Sequence, residues 1–282
     1  MSIFGTDKYK YEVVENWGMT PQLGLVSGVA CDSNDRVYVY NRSPVPAMLV
    51  FDPDGTLIAE WGKDIFQKPH GIWISPDDEI YTTDTMDHTV RKFSLDGELL
   101  KTFGTVDQPG TPGTPFNQPT RAVLAPSGEM YVSDGYGQSR VHRMTADGDV
   151  IVSWGAPGTG PGEFNLPHDV TVDKNNRVYI LDRGNLRCQI FNNEGEFLTE
   201  WTDLGSPNDL FIDSDDIIHI AEGHQSICIM TLDGNIIGRW GEKGSNPGQF
   251  SDSPHGIWID SNEDIYVSEV IAEKRLQKFA RI

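Results

Sequence analysis

Short apolar stretches separated by polar turns recur along the whole chain. Within a stretch, apolar and polar residues alternate, and turn residues such as Gly, Pro, Asp and Asn bound each end. The four stretches of one unit are Gly71–Ile74, Glu79–Thr83, Thr89–Phe93 and Leu99–Phe103. Alternation over four to eight residues between turn signals predicts β-strands rather than helices. The pattern therefore predicts an all-β fold with four strands in each unit.

The unit repeats at intervals of about 40–50 residues, which is the range typical of solenoids and propellers. The six copies begin at Val26, Pro69, Pro119, Pro167, Pro207 and Pro254. Four strands at this period are typical of a propeller blade. The third and fourth strands are joined by pairs such as Asp96-Gly97, which predict two-residue hairpin turns with both central residues at positive φ. We therefore predict a six-bladed β-propeller that forms a single domain over residues 1–282.

Each end of the chain carries an incomplete unit. The stretch from Tyr11 to Trp17 has the pattern of a fourth strand but lacks the three strands before it. The unit from Pro254 to Ile282 has three strands and lacks a fourth. We expect the N-terminal strand to complete the last blade, because this pairing leaves no open strand edge there.

Charge and composition exclude several classes of function. The chain carries 42 acidic and 22 basic residues, for a net charge of −20, which argues against nucleic-acid binding. It has no apolar run long enough to span a membrane and no apolar signal-peptide core at its start. The three cysteines, Cys31, Cys188 and Cys228, lie within strand patterns and are expected to be buried thiols. We expect a cytoplasmic protein without a nucleic-acid or membrane partner.

Histidine follows proline at the same point of the repeat in every second copy. These residues are His70, His168 and His255. The other three copies carry Ser27, Thr120 and Asn208 at this point. The position therefore does not require histidine for folding. In a closed ring of six blades, alternate blades lie a third of a turn apart, so the three imidazoles would meet near the axis. Three histidines with an open fourth position form a catalytic type of zinc site, and the pattern predicts zinc.

The turn between the second and third strands of each blade is expected to open on the same face as these histidines, because each strand reverses the chain direction. The residues in these turns include Arg42, Tyr136, Arg183 and His224. Tyr136 lies between Gly135 and Gly137, which we interpret as leaving its ring exposed. Loops on a rigid scaffold are a usual place for catalytic groups. These turns therefore supply candidates for an active site around the histidines.

Several short runs between residues 116 and 201 carry a more specific pattern. They are Phe116–Thr120, Val132–Tyr136, Pro161–Phe164, Pro167-His168 and Asp182-Arg183. Together with the three Pro-His positions, these runs resemble peptidyl-α-hydroxyglycine α-amidating lyase, a six-bladed propeller of the NHL-repeat type. The resemblance is strongest over residues 116–201 and weaker elsewhere. NHL repeats alone are unspecific, whereas the Pro-His positions and the Asp-Gly-Tyr turn are much more specific.

The resemblance implies a reaction and a set of roles. The reaction cleaves the carbon–nitrogen bond of a carbinolamide, such as an N-acyl-α-hydroxyglycine, to give an amide and an aldehyde such as glyoxylate. The implied zinc ligands are His70, His168 and His255. The implied base is Tyr136, with Arg42 and Arg183 matching arginines of the site. Zinc would polarise the substrate oxygen, and a nearby cation would favour the ionised phenol.

The resemblance also implies a structural calcium, held partly by the backbone carbonyls of Val29 and Ile72. The chain departs from the family at Gly256, where the family has an acidic residue that helps to hold calcium. Asp169, which follows His168, could substitute for it. Ser253 stands where the family has methionine. The family acts on secreted peptides, whereas this chain shows no apolar signal-peptide core. Together with the departures, this favours a small carbinolamide or related α-hydroxy compound as the substrate.

Two other functions remain open from the sequence. A lactonase-like metal-dependent hydrolase is one, because other six-bladed propellers do this chemistry. Such enzymes usually bind calcium through oxygen ligands, whereas three histidines favour zinc. A non-enzymatic NHL interaction scaffold is the other, and it predicts no bound metal. Metal analysis of the purified protein separates the scaffold from the two enzymes.

Overall fold

The computed structural model describes residues 3–6, 8–42, 47–271 and 275–282. Its described residues form six antiparallel sheets, which are the blades of a six-bladed β-propeller. The all-β prediction is therefore confirmed. Among those residues, no helix is both long and apolar enough to cross a membrane. The cytoplasmic location stays a prediction.

The strands follow the predicted four-stranded unit. Two strands precede the first blade, β1 (Ile3–Thr6) and β2 (Tyr9–Val14). The first blade contains β3 (Val26–Cys31), β4 (Val37–Asn41), β5 (Met48–Phe51) and β6 (Leu57–Trp61). The second contains β7 (Pro69–Ile74), β8 (Ile80–Asp84), β9 (Thr89–Phe93) and β10 (Leu99–Phe103). The third contains β11 (Arg121–Leu124), β12 (Met130–Asp134), β13 (Arg140–Met144) and β14 (Val150–Trp154).

The remaining blades have the same order. The fourth contains β15 (Pro167–Val172), β16 (Val178–Asp182), β17 (Arg187–Phe191) and β18 (Phe197–Trp201), with a short 3-10 turn at Arg183–Asn185. The fifth contains β19 (Pro207–Ile212), β20 (Ile217–Glu222), β21 (Ser226–Thr231) and β22 (Ile236–Trp240). The sixth contains β23 (Pro254–Ile259), β24 (Ile265–Glu269) and β25 (Leu276–Arg281).

The chain divides into two compact units, residues 66–207 and residues 1–65 with 208–282. The first of these units contains blades two, three and four, and the second contains blades five, six and one. Each unit has its own buried aromatic side chains. Those of residues 66–207 include Phe116, Phe164 and Phe191. Those of the other unit include Tyr11, Phe250 and Phe279. The single domain over 1–282 stays a prediction.

The N-terminal strand completes the last blade, as predicted. β2 pairs antiparallel with β25, with Tyr11 opposite Arg281 and Val14 opposite Lys278. Two details differ from the prediction. β1 adds a fifth strand outside β2, and the strand ends at Val14 rather than at Trp17. Trp17 lies in the following turn, where its ring is buried.

Tyr11 provides a test of this closure. Its side chain is 1% exposed, and its ring stacks on Trp240 with centroids 5.9 Å apart. Replacing Tyr11 with alanine is expected to lower the free energy of unfolding by about 3–5 kcal/mol, because a large buried ring is lost. Chemical denaturation measures this change. Lys10→Ala removes the exposed side chain next to it and should leave stability within about 0.5 kcal/mol. Equal effects of the two substitutions would contradict the closure.

The turns between third and fourth strands differ from the prediction. In the second blade, the Ser94 N–H donates to the Glu98 carbonyl at 3.0 Å, and the Gly97 N–H donates to the Ser94 carbonyl at 3.0 Å. Gly97 has a φ of 84°, whereas Asp96 is not at positive φ. The connection is therefore a three-residue loop with glycine in the left-handed region, not a two-residue turn. The same bonds recur at Gly55, Gly148, Gly195 and Gly234.

Candidate active site

Two of the three Pro-His pairs lie in the unit formed by residues 66–207. Each pair begins the first strand of its blade, β7 for His70 and β15 for His168. Proline is tolerated at this point because it is the first residue of a strand, where its missing N–H is least damaging. Both imidazoles are 2% exposed, and their ring centroids are 4.7 Å apart. The unit therefore brings two of the predicted ligands together.

The protonation of His70 is set by the neighbouring blade. Its Nδ1 lies 2.8 Å from the carbonyl oxygen of Thr120. A carbonyl can only accept, so Nδ1 carries the proton and Nε2 keeps a lone pair. Thr83 Oγ1 donates to the same carbonyl at 2.9 Å, which holds this acceptor in place. A neutral imidazole held through its other nitrogen is the form that binds metals.

Tyr136 lies against both imidazoles. Its hydroxyl oxygen is 3.2 Å from Nε2 of His70 and 3.3 Å from Nε2 of His168. The side chain is 38% exposed, so solvent or a substrate can reach the ring. The hydroxyl is therefore next to the two nitrogens that the sequence predicts as metal ligands.

The Tyr136 ring is exposed, as interpreted from the sequence, and its two glycine neighbours have a further role in packing. A Cβ at Gly135 would lie 2.0 Å from the Pro167 carbonyl oxygen, and one at Gly137 would lie 2.3 Å from the Asn117 carbonyl oxygen. Neither contact is sterically possible. The glycines therefore allow the turn to pack directly on the strand start that carries His168, and this packing sets the position of the phenol.

The Asp134 carboxylate holds the same turn through hydrogen bonds. Its carboxylate accepts the Asn117 N–H at 2.9 and 2.8 Å and the Gln138 side-chain amide at 2.8 Å. His142 Nε2 lies 3.3 Å from the same carboxylate. Asp134 is fully buried, so these bonds compensate for its lost hydration. Asp134 therefore has a structural role, because it holds the turn that carries Tyr136.

Arg183 contacts the Tyr136 ring. It follows β16, and its backbone N–H donates to the Leu166 carbonyl at 3.1 Å. The guanidinium carbon is 5.7 Å from the centroid of the Tyr136 ring, which is within the range of a cation–π contact. The structure therefore places this predicted residue beside the phenol. Its role in catalysis stays a prediction.

The unit that contains residues 1–65 and 208–282 holds the third histidine. His255 follows Pro254 as the second residue of β23 and is buried. Its Nδ1 lies 2.7 Å from the Ser27 carbonyl oxygen, so it has the same tautomer as His70. Arg42 follows β4, and its backbone N–H donates to the Leu25 carbonyl at 2.6 Å. It therefore occupies the same place in the first blade as Arg183 in the fourth.

At two of the three positions that lack histidine, the side chain holds a proline of the next blade, which sequence reasoning missed. In blade three, the Thr120 hydroxyl donates to the Pro167 carbonyl at 3.0 Å. In blade five, the Asn208 side-chain amide donates to the Pro254 carbonyl at 2.7 Å and to Ser253 Oγ at 2.8 Å. Each therefore holds the proline that precedes the next histidine. The regular alternation of histidine with a small polar residue is the signal that could have revealed this.

The two carbonyl groups predicted to bind calcium lie on first strands of different units. Val29 is opposite Val39 in the β3–β4 pair, and Ile72 is opposite Thr82 in the β7–β8 pair. No described contact tests them as ligands, so this site stays a prediction.

The cysteines do not contribute chemistry to this site. Cys31, Cys188 and Cys228 are buried and unbonded to one another. Burial raises the pKa of the Cys31 and Cys188 thiols well above the ordinary value. A thiol with a raised pKa is a weak nucleophile at neutral pH. The prediction of buried thiols is confirmed.

Comparison with protein families identifies the repeat. The NHL repeat model matches residues 66–93 and 164–191, which cover the first three strands of the second and fourth blades. The chain carries NHL repeats on a six-bladed β-propeller. Both matched segments include one of the Pro-His pairs. The NHL repeat therefore accounts for the blade, but its presence alone does not assign an activity.

Two curated relatives and one solved structure show what this NHL propeller resembles. NHL repeat-containing protein 3 from Homo sapiens is 34% identical over 212 residues, covering 70% of this chain and 61% of that protein. Peptidyl-glycine alpha-amidating monooxygenase from Mus musculus is 32% identical over 228 residues, covering 69% of this chain and 23% of that protein. The chain therefore spans less than two thirds of either relative. A streptogramin B lyase structure has a TM-score of 0.69 at 15% identity, covering 97% of this chain and 99% of that one, and shows the fold alone.

Proposed function

We propose that this NHL propeller is a metal-dependent lyase that cleaves the carbon–nitrogen bond of a carbinolamide. The observation that carries the proposal is the Tyr136 hydroxyl, which lies within hydrogen-bonding distance of Nε2 of both His70 and His168. A phenol beside two imidazoles that are candidate metal ligands supports this proposal, because a general base must lie within hydrogen-bonding reach of the substrate proton. The identity to the mouse amidating monooxygenase supports the reaction class.

The histidines supply a donor set that fits zinc. His70 and His168 are buried together in the unit formed by residues 66–207, and we propose that His255, which is buried in the other unit, is the third ligand. Backbone carbonyls hold Nδ1 of His70 and of His255, so the lone pair lies on Nε2. Neutral imidazoles fixed in this way are typical ligands of catalytic zinc. When bound, the metal would supply a Lewis acid for the substrate oxygen.

Tyr136 is the proposed base. It takes the proton of the carbinol hydroxyl, and the electrons of that O–H bond form the carbonyl double bond of the aldehyde. The carbon–nitrogen bond breaks, and its electron pair goes to nitrogen. The proton on Tyr136 then passes to that nitrogen and gives the amide. Atoms and charge balance without a further reactant, and a small molecule is the only partner that the reaction needs.

Two arginines are proposed to assist the base. Arg183 lies over the Tyr136 ring, within the range of a cation–π contact, and places a positive charge beside the phenol. Arg42 follows β4 as Arg183 follows β16, with the same type of backbone bond. We infer that Arg42 supplies a second cation to the site.

A binding role without catalysis is the second candidate function. The human relative favours it, since its name records the repeats and no activity. A scaffold needs no metal and no base. A lactonase-like hydrolase is less favoured, because such enzymes usually bind calcium through oxygens, whereas the donors here are imidazoles.

Metal analysis and one assay test the proposal. We expect protein purified without added metal to contain about one zinc per chain and to release glyoxylate from an N-acyl-α-hydroxyglycine. A chelator should remove this activity and added zinc should restore it, because the metal activates the substrate oxygen. A chain without metal that releases no aldehyde from any carbinolamide would contradict the lyase and favour the scaffold. Bound zinc with activity on other carbinolamides alone would reject only this substrate.

A further inference from the structure

A buried charge pair lies directly beside the candidate metal ligands. Arg121 begins β11 and is 5% exposed, and Asp169 is the third residue of β15 and is 2% exposed. Arg121 Nε lies 3.5 Å from Asp169 Oδ1, and the same oxygen accepts the Val170 N–H at 2.8 Å. The pair therefore links the first strands of blades three and four inside the unit formed by residues 66–207.

The repeat position of Arg121 and Asp169 is glycine in blades two and six. The surrounding atoms leave no room there for a side chain. At Gly256, a Cβ would lie 2.7 Å from Ser268 Oγ and 2.9 Å from Gly28 Cα. At Gly71, a Cβ would lie 2.3 Å from the Thr120 carbonyl oxygen. The acidic ligand that the family resemblance implies at position 256 therefore has no room here.

The acidic residues that do occupy this place are already engaged. Asp169 faces the Arg121 guanidinium, which would repel a bound cation. In the other unit, the Asp209 carboxylate accepts the Leu210 N–H at 3.1 Å and the Ile257 N–H at 2.9 Å. Calcium prefers six to eight oxygen ligands, including carboxylates that it does not share with a competing cation. The donor set therefore does not fit the implied structural calcium.

We propose that the Arg121 guanidinium takes the place of the structural calcium that the resemblance implies. The positive charge is then carried by the chain itself. The chain then folds and holds its histidines without that ion. Arg121 follows Thr120, whose carbonyl holds His70 Nδ1, and Asp169 follows His168. The ion pair thus fixes the two strand starts that position the imidazoles. The proposal concerns stability and holds whether or not the chain is a lyase.

Thermal unfolding of the full chain tests the proposal. The protein is kept loaded with zinc in a calcium-free buffer. Its Tm is compared with and without about 1 mM calcium, a concentration that fills weak extracellular calcium sites. We expect the wild-type Tm to be the same in both conditions. Arg121→Ala should lower the Tm by about 5–15 °C, because it removes the cation that pairs with the buried Asp169 carboxylate. Calcium should recover part of this loss, since it can now reach the carboxylate.

Arg143→Ala is the matched control. Arg143 is also buried and pairs with Glu129 at 2.9 Å, so its loss should lower the Tm without any response to calcium. Arg121→Lys keeps the charge and should lower the Tm less than Arg121→Ala, also without a calcium response. A rise in the wild-type Tm with calcium would overturn the proposal. So would an Arg121→Ala chain that melts like the wild type or ignores calcium. If Arg121→Ala does not fold, the Tm values of the wild type and of Arg121→Lys, each measured with and without calcium, test the proposal.

Discussion

Replacing Tyr136 with phenylalanine is expected to lower turnover of the carbinolamide substrate by a factor of about 10²–10⁴, the usual contribution of a general base. The substitution removes only the hydroxyl, which lies 3.2 and 3.3 Å from the two Nε2 atoms. The phenylalanine ring keeps the contact with the Arg183 guanidinium. The fold and the metal content should therefore stay unchanged. Steady-state kinetics with aldehyde detection measure the loss.

Tyr131→Phe is the matched control for this prediction. Tyr131 lies on β12 of the same blade and is buried, but no described contact links its hydroxyl to the histidines. Its loss should leave turnover within about twofold of the wild type, as expected for a group that takes no part in the proton transfer. A loss of tenfold or less in Tyr136→Phe would not support the role as base. Full activity on the true substrate would reject the mechanism.

Replacing His255 with alanine is expected to lower zinc affinity by more than about 100-fold. Changing a residue that only hydrogen-bonds to a metal ligand usually has a smaller effect. His255 lies in the unit formed by residues 1–65 and 208–282, whereas His70 and His168 lie in the other unit. The substitution therefore tests whether a histidine from each unit contributes to one metal. Elemental analysis after dialysis and competition with a zinc-binding dye measure the affinity. Turnover should fall together with the metal content.

His219→Ala is the control for that experiment. His219 is a buried histidine on β20 of the fifth blade, in the same unit as His255, and its Nε2 lies 3.0 Å from the Asp213 carboxylate. Its loss should leave zinc content and turnover unchanged. Near-UV circular dichroism should show that both variants keep the wild-type fold. Retained zinc in a folded His255→Ala chain would reject the three-histidine centre and leave only His70 and His168 as ligands.

The blades could be predicted from the sequence because their signals are local. Strand alternation, turn residues and the repeat interval are all read within one unit of the chain, as at Gly71–Ile74 and Glu79–Thr83. The missing fourth strand after Pro254 also predicted the pairing of β2 with β25. The prediction of a two-residue turn at Asp96-Gly97 was wrong, because a dipeptide alone does not fix the length of a hairpin loop. That length depends on which flanking residues pair, here Ser94 and Glu98.

The candidate site could be predicted in its residue types but not in its supporting bonds. The alternation of histidine with threonine or asparagine is visible in the sequence. The acceptor for His70 Nδ1 is a backbone carbonyl 50 residues away, at Thr120, and a carbonyl leaves no signal in the side-chain pattern. The exposure of the Tyr136 ring between two glycines was predicted correctly, but the close approach of these glycines to Pro167 and Asn117 left no signal in the sequence.

The sequence by itself therefore determined the all-β repeat, the six blades, the pairing of the chain ends and the register of the three histidines. These features follow from periodicity, which short segments encode on their own. Only the tertiary structure decided the tautomer of His70, the contact of the Tyr136 hydroxyl with two imidazoles, and the pairing of Arg121 with Asp169. Each of these depends on the distance between strands of neighbouring blades. That distance is set by packing of side chains far apart in the chain, and no local pattern records it.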